Sequence, residues 1–297
     1  MASMSDIKRR RESIQSTGQI TKAMKLVSTV KLQRAKSRAE NSKPYFDHMY
    51  DAVTSMLAKS GNINHPFLNG NPDSKGTGKK AIIVITSNRG LAGGYNANVV
   101  KMVRTSGIDP KDAIIYAIGR KGKDALARVG YEIKEDYSEV INEPMFKDAV
   151  EIGSKVLEGF ASGEIEEIYL AYTVFKNTVT QIPTFLKLLP IDPNLGANNE
   201  SKDSSEDAMD KLTLMNYEPE PEEALELIIP KYINSLIYGA LVESLASENG
   251  ARMQAMDNAT SNAEDMISEL ELTYNRARQG AITQEITEII AGANAIS

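Results

Sequence analysis

Apolar residues recur at helical spacing over the last part of the chain. Met256, Ala259, Ala263, Met266 and Leu270 alternate steps of three and four, Leu270 to Tyr274 repeats a four, and the pattern resumes at Ala277 and Ala281. That is a coiled-coil seam with one stutter. Near the other end Ile7, Ile14, Ile20, Met24, Val27 and Val30 make an apolar stripe interrupted by Thr21 and Ser28, which predicts a helix without a strict heptad. The tract from Asp6 to Lys59 has no proline except Pro44, and a helix of that length measures roughly 80 Å. The tract from Glu222 to Ala295 predicts a longer helix, roughly 110 Å. Pro219 and Pro221 with Glu222 and Glu223 read as its start, and Pro230 is expected to kink it.

If the two helices pair from a common base, about 20 residues of the longer one overhang, beginning near Arg276. Ile282, Ile286, Ile289, Ala293 and Ile296 share one face there, and from Ala277 onward only Arg278, Glu285 and Glu288 are charged. A lone helix with that face is not expected to stand bare in water. Another protein should sheathe it.

Charge points to the pairing itself. Asp6 to Lys43 holds eleven Lys and Arg against three acids, whereas Glu222 to Ser297 holds twelve acids against four bases. Helices of net +8 and −8 at opposite termini suit an antiparallel pair, and the remaining −6 lies between them. A rod carrying a domain is a shape for holding or transmitting something, which disfavours a simple pocket enzyme.

Between the helices the texture changes. Ala81 to Thr86, Ala113 to Ile118, Ile168 to Thr173 and Ile182 to Leu189 are short β-rich runs, and helical stretches near Ala97 to Arg104, Gly122 to Val129 and Phe146 to Phe160 separate several of them. This alternation predicts an open Rossmann-like sheet. The fold class is therefore α/β, a long antiparallel coiled coil of N- and C-terminal helices plus a central Rossmann-like α/β domain. The divisions fall at 1–59, 60–221 and 222–297, with an acidic, mobile surface loop expected at 192–210.

Candidate chemistry is sparse. With 297 residues, 41% of them hydrophobic, the chain can bury a core, and no run approaches about 18 consecutive apolar residues, so no direct membrane insertion is expected. The opening MASMSDIKRRRES lacks the features of a secretory signal. The absence of cysteine fits a reducing compartment, and His48 and His65 are the only histidines, too few for an ordinary zinc site. The segment SNRGLAGGYNANVV follows the first strand where phosphate often meets a helix N-terminus, but it matches neither G-x-G-x-x-G nor the P-loop. A tight turn needing glycine conformations explains it better. No catalytic grouping emerges, and no cofactor is expected.

Four segments carry a resemblance: SDIKRRRESIQSTGQITKAMKLVSTVKLQRAK, TSNRGLAGGYNANV, NYEPEP and YNRARQGAITQEITEIIAGANAI. Together they resemble the gamma subunit of the bacterial F-type ATP synthase, in order and over essentially the whole chain. The resemblance implies a non-catalytic central rotor shaft in a proton-translocating complex. Its helix pair would lie inside a hexamer of α and β subunits, with the epsilon subunit and the membrane ring of c subunits beside the middle domain. It also implies subunit contacts for Met24 and Lys25 in ITKAMKLV, for Arg252 in ARM, and for Arg278 and Gln279 in ARQ, with Thr283 and Glu285 beyond. Tyr217 and Glu218 in NYEPEP would face the c ring. The family's chloroplast-type cysteine insert is absent, so thiol control is not expected, and the cytoplasmic face of the plasma membrane is the expected location. Two other classes stand beside this one: a coiled-coil protein gripping nucleic acid, opposed by the pI near 5.2, and a small α/β nucleotide hydrolase.

Overall fold

The computed structural model describes residues 4–59, 65–70, 78–191 and 221–296. Tyr217, Glu218 and the acidic stretch 192–210 lie outside the described residues. In chain order the elements are α1 (Met4–Lys59), a single turn α2 (Pro66–Asn69), β1 (Lys80–Ile85), α3 (Tyr95–Arg104), β2 (Ala113–Ile118), α4 (Arg120–Val129) and β3 (Glu132–Asp136). They continue with α5 (Phe146–Ala161), β4 (Glu167–Phe175), β5 (Gln181–Leu189) and α6 (Pro221–Ile296). The chain forms two compact units, one of Met1–Thr29 with Arg252–Ser297, the other of Val30–Ala251. Both long helices contribute to both units.

The larger unit is built on a five-stranded sheet of order β3-β2-β1-β4-β5. The first four strands are parallel and β5 is antiparallel to β4. Successive side chains of β1 point to opposite faces. Ala81, Ile83 and Ile85 enter one core with α5, the stretch of α1 around Val53 and Met56, and the stretch of α6 from Leu225 to Leu241. Ile82 and Val84 enter the other with Val99 and Val103 of α3 and Leu126 of α4. Burial on both faces is why β1 and β2 read as unbroken apolar runs.

Two features of this unit were not expected from sequence. β3, EIKED, is an edge strand whose residues are mostly exposed, so it carries no apolar run. Lys79–Glu132, Lys123–Asp136 and Lys134–Glu164 flank it with ion pairs, a charged edge of the kind that discourages strand addition. The second feature is the apolar stretch of α6. One of its windows has a mean hydropathy of 1.3, enough by length and composition to cross a membrane, and half of that window is buried within the protein. Ile229, Ile233, Ile237 and Leu241 account for that hydropathy as core against the sheet. α6 runs as one helical element from Pro221 to Ile296, with Pro230 inside it.

The smaller unit is an antiparallel helix pair. Lys25 Nζ lies 2.5 Å from Asp257 Oδ1, Thr21 and Thr260 share a hydroxyl hydrogen bond of 2.8 Å, and Arg11 stands 3.9 Å from Glu271. Ascending α1 matches descending α6, as the opposite charges predict. Apart from Met24, the covered positions of α1 here are Met4, Ile7, Arg11, Ile14, Gly18, Thr21, Lys25 and Ser28, which alternate steps of three and four without a break. A strict heptad therefore exists where none was expected. It was masked because Arg11, Gly18, Thr21, Lys25 and Ser28 are not apolar. The stutter on α6 also disappears: Met266 is 51% exposed, and Met256, Thr260, Ala263, Ile267, Leu270, Tyr274 and Ala277 form the regular seam.

Candidate subunit-contact surface

The α1 seam leaves half of the expected stripe outside. At about 100° per residue, Ile20, Ala23, Leu26 and Val27 cluster on the side of the helix away from Ile14, Thr21 and Ser28. Ile20 and Val27 are each 58% exposed and Leu26 is 62% exposed. By sequence alone Ile20 and Val27 belong to the same apolar stripe as Ile7 and Ile14. The signal that separates them is the seven-residue step from Ile7 through Ile14 and Thr21 to Ser28. Met24 is half-buried at the edge between the two faces, and Lys8, Arg9, Arg10 and Lys22 are exposed around them.

The far end of α6 is the second exposed surface. Met4 lies seven residues before Arg11 and Arg278 seven after Glu271, so the pairing brings Met4 level with Arg278. No described α1 residue stands opposite the helix beyond that level. From Arg278 to Gly292 every residue is exposed, including Ile282, Ile286, Ile289 and Ile290. Arg278 and Glu285 make no ion pair among the described residues, and Thr283 only returns its hydroxyl to the Gln279 carbonyl, 2.9 Å away. Arg278, Gln279, Thr283 and Glu285 thus share one uncovered stretch, whereas Lys25 is engaged by Asp257 within the chain. Arg252 is half-buried on α6, near the level of that pair.

The glycine-rich turn after β1 closes on itself. Asn96 Oδ1 accepts from the Ser87 amide at 2.9 Å, and Ser87 Oγ donates to the Arg89 carbonyl at 2.6 Å. Gly93 takes a positive φ of 55°, which glycine adopts freely, and Leu91 takes one of 63°. In sheets of this kind ligands bind outside the carboxyl ends of the strands where the order reverses, here beside β1 and β4. That place is filled. Ala251 of α6 packs on Ala92 and Tyr95, Ser247 donates to the Thr173 carbonyl at 3.1 Å, and Gly250 passes Phe175 so closely that a Cβ would come within 3.2 Å of its ring. Among the described residues no group of three His, Asp or Glu could hold a metal ion.

Comparison with known proteins agrees with the geometry. The family described as ATP synthase matches residues 3–296. The chain is 70% identical to the ATP synthase gamma chain of Lachnoclostridium phytofermentans over the full length of both. It is 43% identical to the sodium-ion-specific ATP synthase gamma chain of Acetobacterium woodii, covering 98% of each. Among solved structures, it is similar to a chain of the central stalk and c ring of the Tetrahymena thermophila mitochondrial ATP synthase, with TM-score 0.55 and 25% identity, over 81% of this chain and 99% of that one. A chain from the Euglena gracilis mitochondrial ATP synthase shares the fold at TM-score 0.67 and 19% identity, over 99% of this chain and 94% of the other.

Proposed function

Because the chain belongs to the ATP synthase gamma family and is the rotor of that enzyme's central stalk, we propose that its helix pair turns within a sleeve of α and β subunits and drives their catalytic sites without catalysing anything itself. The observation that carries this reading is the bare end of α6. A single helix exposing Ile282, Ile286, Ile289 and Ile290 is a stable arrangement only when another protein covers it.

The mechanism follows from asymmetry. Two different helices present a different surface at each angle of rotation, so the subunits around them meet unequal contacts. A contact that favours one subunit conformation over another shifts its population by the difference in affinity. Turning the shaft moves that bias from subunit to subunit, giving nucleotide binding, ATP formation and release in turn. Nucleotide hydrolysis in the sleeve drives the shaft in reverse.

The contacts we assign to the sleeve are Arg278, Gln279, Thr283 and Glu285 on the overhang, and Met24 with Ile20, Leu26 and Val27 on the outer face of α1. Arg252 belongs with them on the family resemblance, as do Tyr217 and Glu218 toward the c ring. The basic outer face of α1 suits acidic partner surfaces. The epsilon subunit and the c ring complete the partners, on the cytoplasmic face of the plasma membrane. The filled crevice between β1 and β4 supports a chain that leaves ATP chemistry to the β subunits. Affinity purification of the chain from its native membrane tests the reading: α and β subunits are expected in excess over it, and Ile286→Asp with Ile289→Asp should reduce their recovery. Recovery of the chain without either subunit would contradict it.

A further inference from the structure

Between Gly18 and Ser28 the α1 seam presents Gly18, Thr21, Lys25 and Ser28, with Met24 half-buried at its edge, and α6 supplies the buried Met256 and Ala263 at the same levels. Apolar contact over these turns therefore comes mainly from the α6 side, and the α1 side adds little to it. What α1 itself contributes there is largely polar: the Lys25–Asp257 ion pair, and one turn away the hydrogen bond between Thr21, which is buried, and Thr260. We propose that these two pairs form a clasp that keeps α1 zipped to α6 while the shaft carries torque, so that Lys25 acts as a positioning residue inside the chain rather than as a contact with the sleeve. The inference rests on the rotor reading.

Solvent decides how strong the clasp is. The Lys25 and Asp257 side chains are 38% and 46% exposed, and a pair so open to water contributes little in the free chain. Inside a protein sleeve water is excluded, the attraction is less screened, and either charge left alone becomes costly. The clasp is weak in isolation and strong where the shaft works.

The polar layers also fit in one register. A shift of one heptad along α6 moves Lys25 to the level of Gly250 or of Glu264. The first places Thr21 against Met253, at best a weak acceptor, and the second against Ile267, which offers none. The shift toward Glu264 also brings Arg11 to the level of Arg278. Polar seam positions specify register in this way because each alternative leaves at least one of them without its partner.

The test uses the complete ATP synthase in vesicles carrying Lys25→Asp, Asp257→Lys, or both, and reads ions pumped per ATP hydrolysed with subunit stoichiometry checked. Each single reversal sets like charges at the clasp and should lower that ratio by at least about twofold, and the double reversal should restore it. A Cβ on Gly18 would lie 3.4 Å from that of Ala263, near disulfide spacing. In the Lys25→Asp enzyme, Gly18→Cys with Ala263→Cys should therefore recover the ratio on oxidation and lose it on reduction. Thermal unfolding of the free chain should barely change. If the reversed enzyme does not assemble, Lys25→Gln is read on the same ratio. Normal ratios in the single variants overturn the proposal. So does a ratio that stays low in both the double reversal and the crosslinked enzyme, because Lys25 then acts on a subunit outside the chain. That outcome leaves the rotor reading intact, whereas a wild-type chain isolated without α and β subunits would overturn the rotor reading instead.

Discussion

Gly18 of α1 and Ala263 of α6 meet so closely that a Cβ added at Gly18 would lie 3.4 Å from the Ala263 Cβ. This close approach fixes how much side chain the seam accepts. A methyl group makes ordinary contact, and replacing glycine within a helix gains about 1 kcal/mol of propensity. Gly18→Ala is therefore expected to slow amide exchange in the flanking turns of α1. Gly18→Leu, overfilling the same place at a cost of about 1–3 kcal/mol, is expected to accelerate it. Equal exchange in the two variants would mean the helices are not in contact there.

Gly119 marks the crowded crossing of the α/β unit. Its φ is +103°, and a Cβ would fall 2.1 Å from the Thr86 carbonyl oxygen. Gly107 has a similar φ of +82° with open space around it. Gly119→Ala should cost more than about 3 kcal/mol of stability, because backbone clash adds to conformational strain, whereas Gly107→Ala should cost about 1–2 kcal/mol from strain alone. Urea unfolding of the two purified variants measures the difference.

How much of this was legible in the sequence varies by element. β1, β2, β4 and β5 could be read because they bury apolar side chains, and β3 could not because EIKED faces solvent at the sheet edge. The direction of β5 was not readable from its composition. It follows from the short hairpin Lys176–Thr180, where Asn177 Oδ1 accepts from the amides of Val179 and Thr180. The bare end of α6 was legible because its isoleucines outrun any possible partner. The inner and outer faces of α1 were not, because its seam contains Arg11, Thr21 and Lys25 while Ile20 and Val27 point away from it. Apolar periodicity finds whichever face is apolar, and in a shaft that turns inside other proteins the outer face is apolar too.

Glu167 makes one contribution to stability depend on pH. Burial alone would raise its carboxyl, but hydrogen bonds from Lys187, Lys80 and Tyr169 outweigh that and hold it down at about 2, against 4.5 for the free side chain. A depressed folded value means stability that is present above the unfolded pKa and lost as pH falls through the folded one. The contribution, up to about 3 kcal/mol, should be complete near neutrality and should disappear between about pH 4.5 and pH 2. Denaturant unfolding of wild type and Glu167→Gln across that window should show their difference shrinking as pH falls. A constant difference would mean the ion pairs contribute nothing.

Arg278 makes no ion pair among the described residues, and on the proposed reading the group it bonds belongs to the sleeve. A hydrogen bond to a charged group is worth about 1.5–3 kcal/mol, and about 1.4 kcal/mol on a limiting barrier changes a rate tenfold. Arg278→Ala should slow ATP synthesis by roughly tenfold to a hundredfold in reconstituted vesicles while assembly stays normal. Unchanged rates with normal stoichiometry would place the grip elsewhere on the overhang.

Rotation itself is the most direct test of the central claim, and a chain without cysteine makes it accessible. Lys111 is exposed on the loop between α3 and β2, so Lys111→Cys gives a single site for a visible probe. With the α and β subunits fixed to a surface and ATP supplied, the probe is predicted to turn continuously in one direction. A probe that stays still while the same complexes hydrolyse ATP would contradict the account.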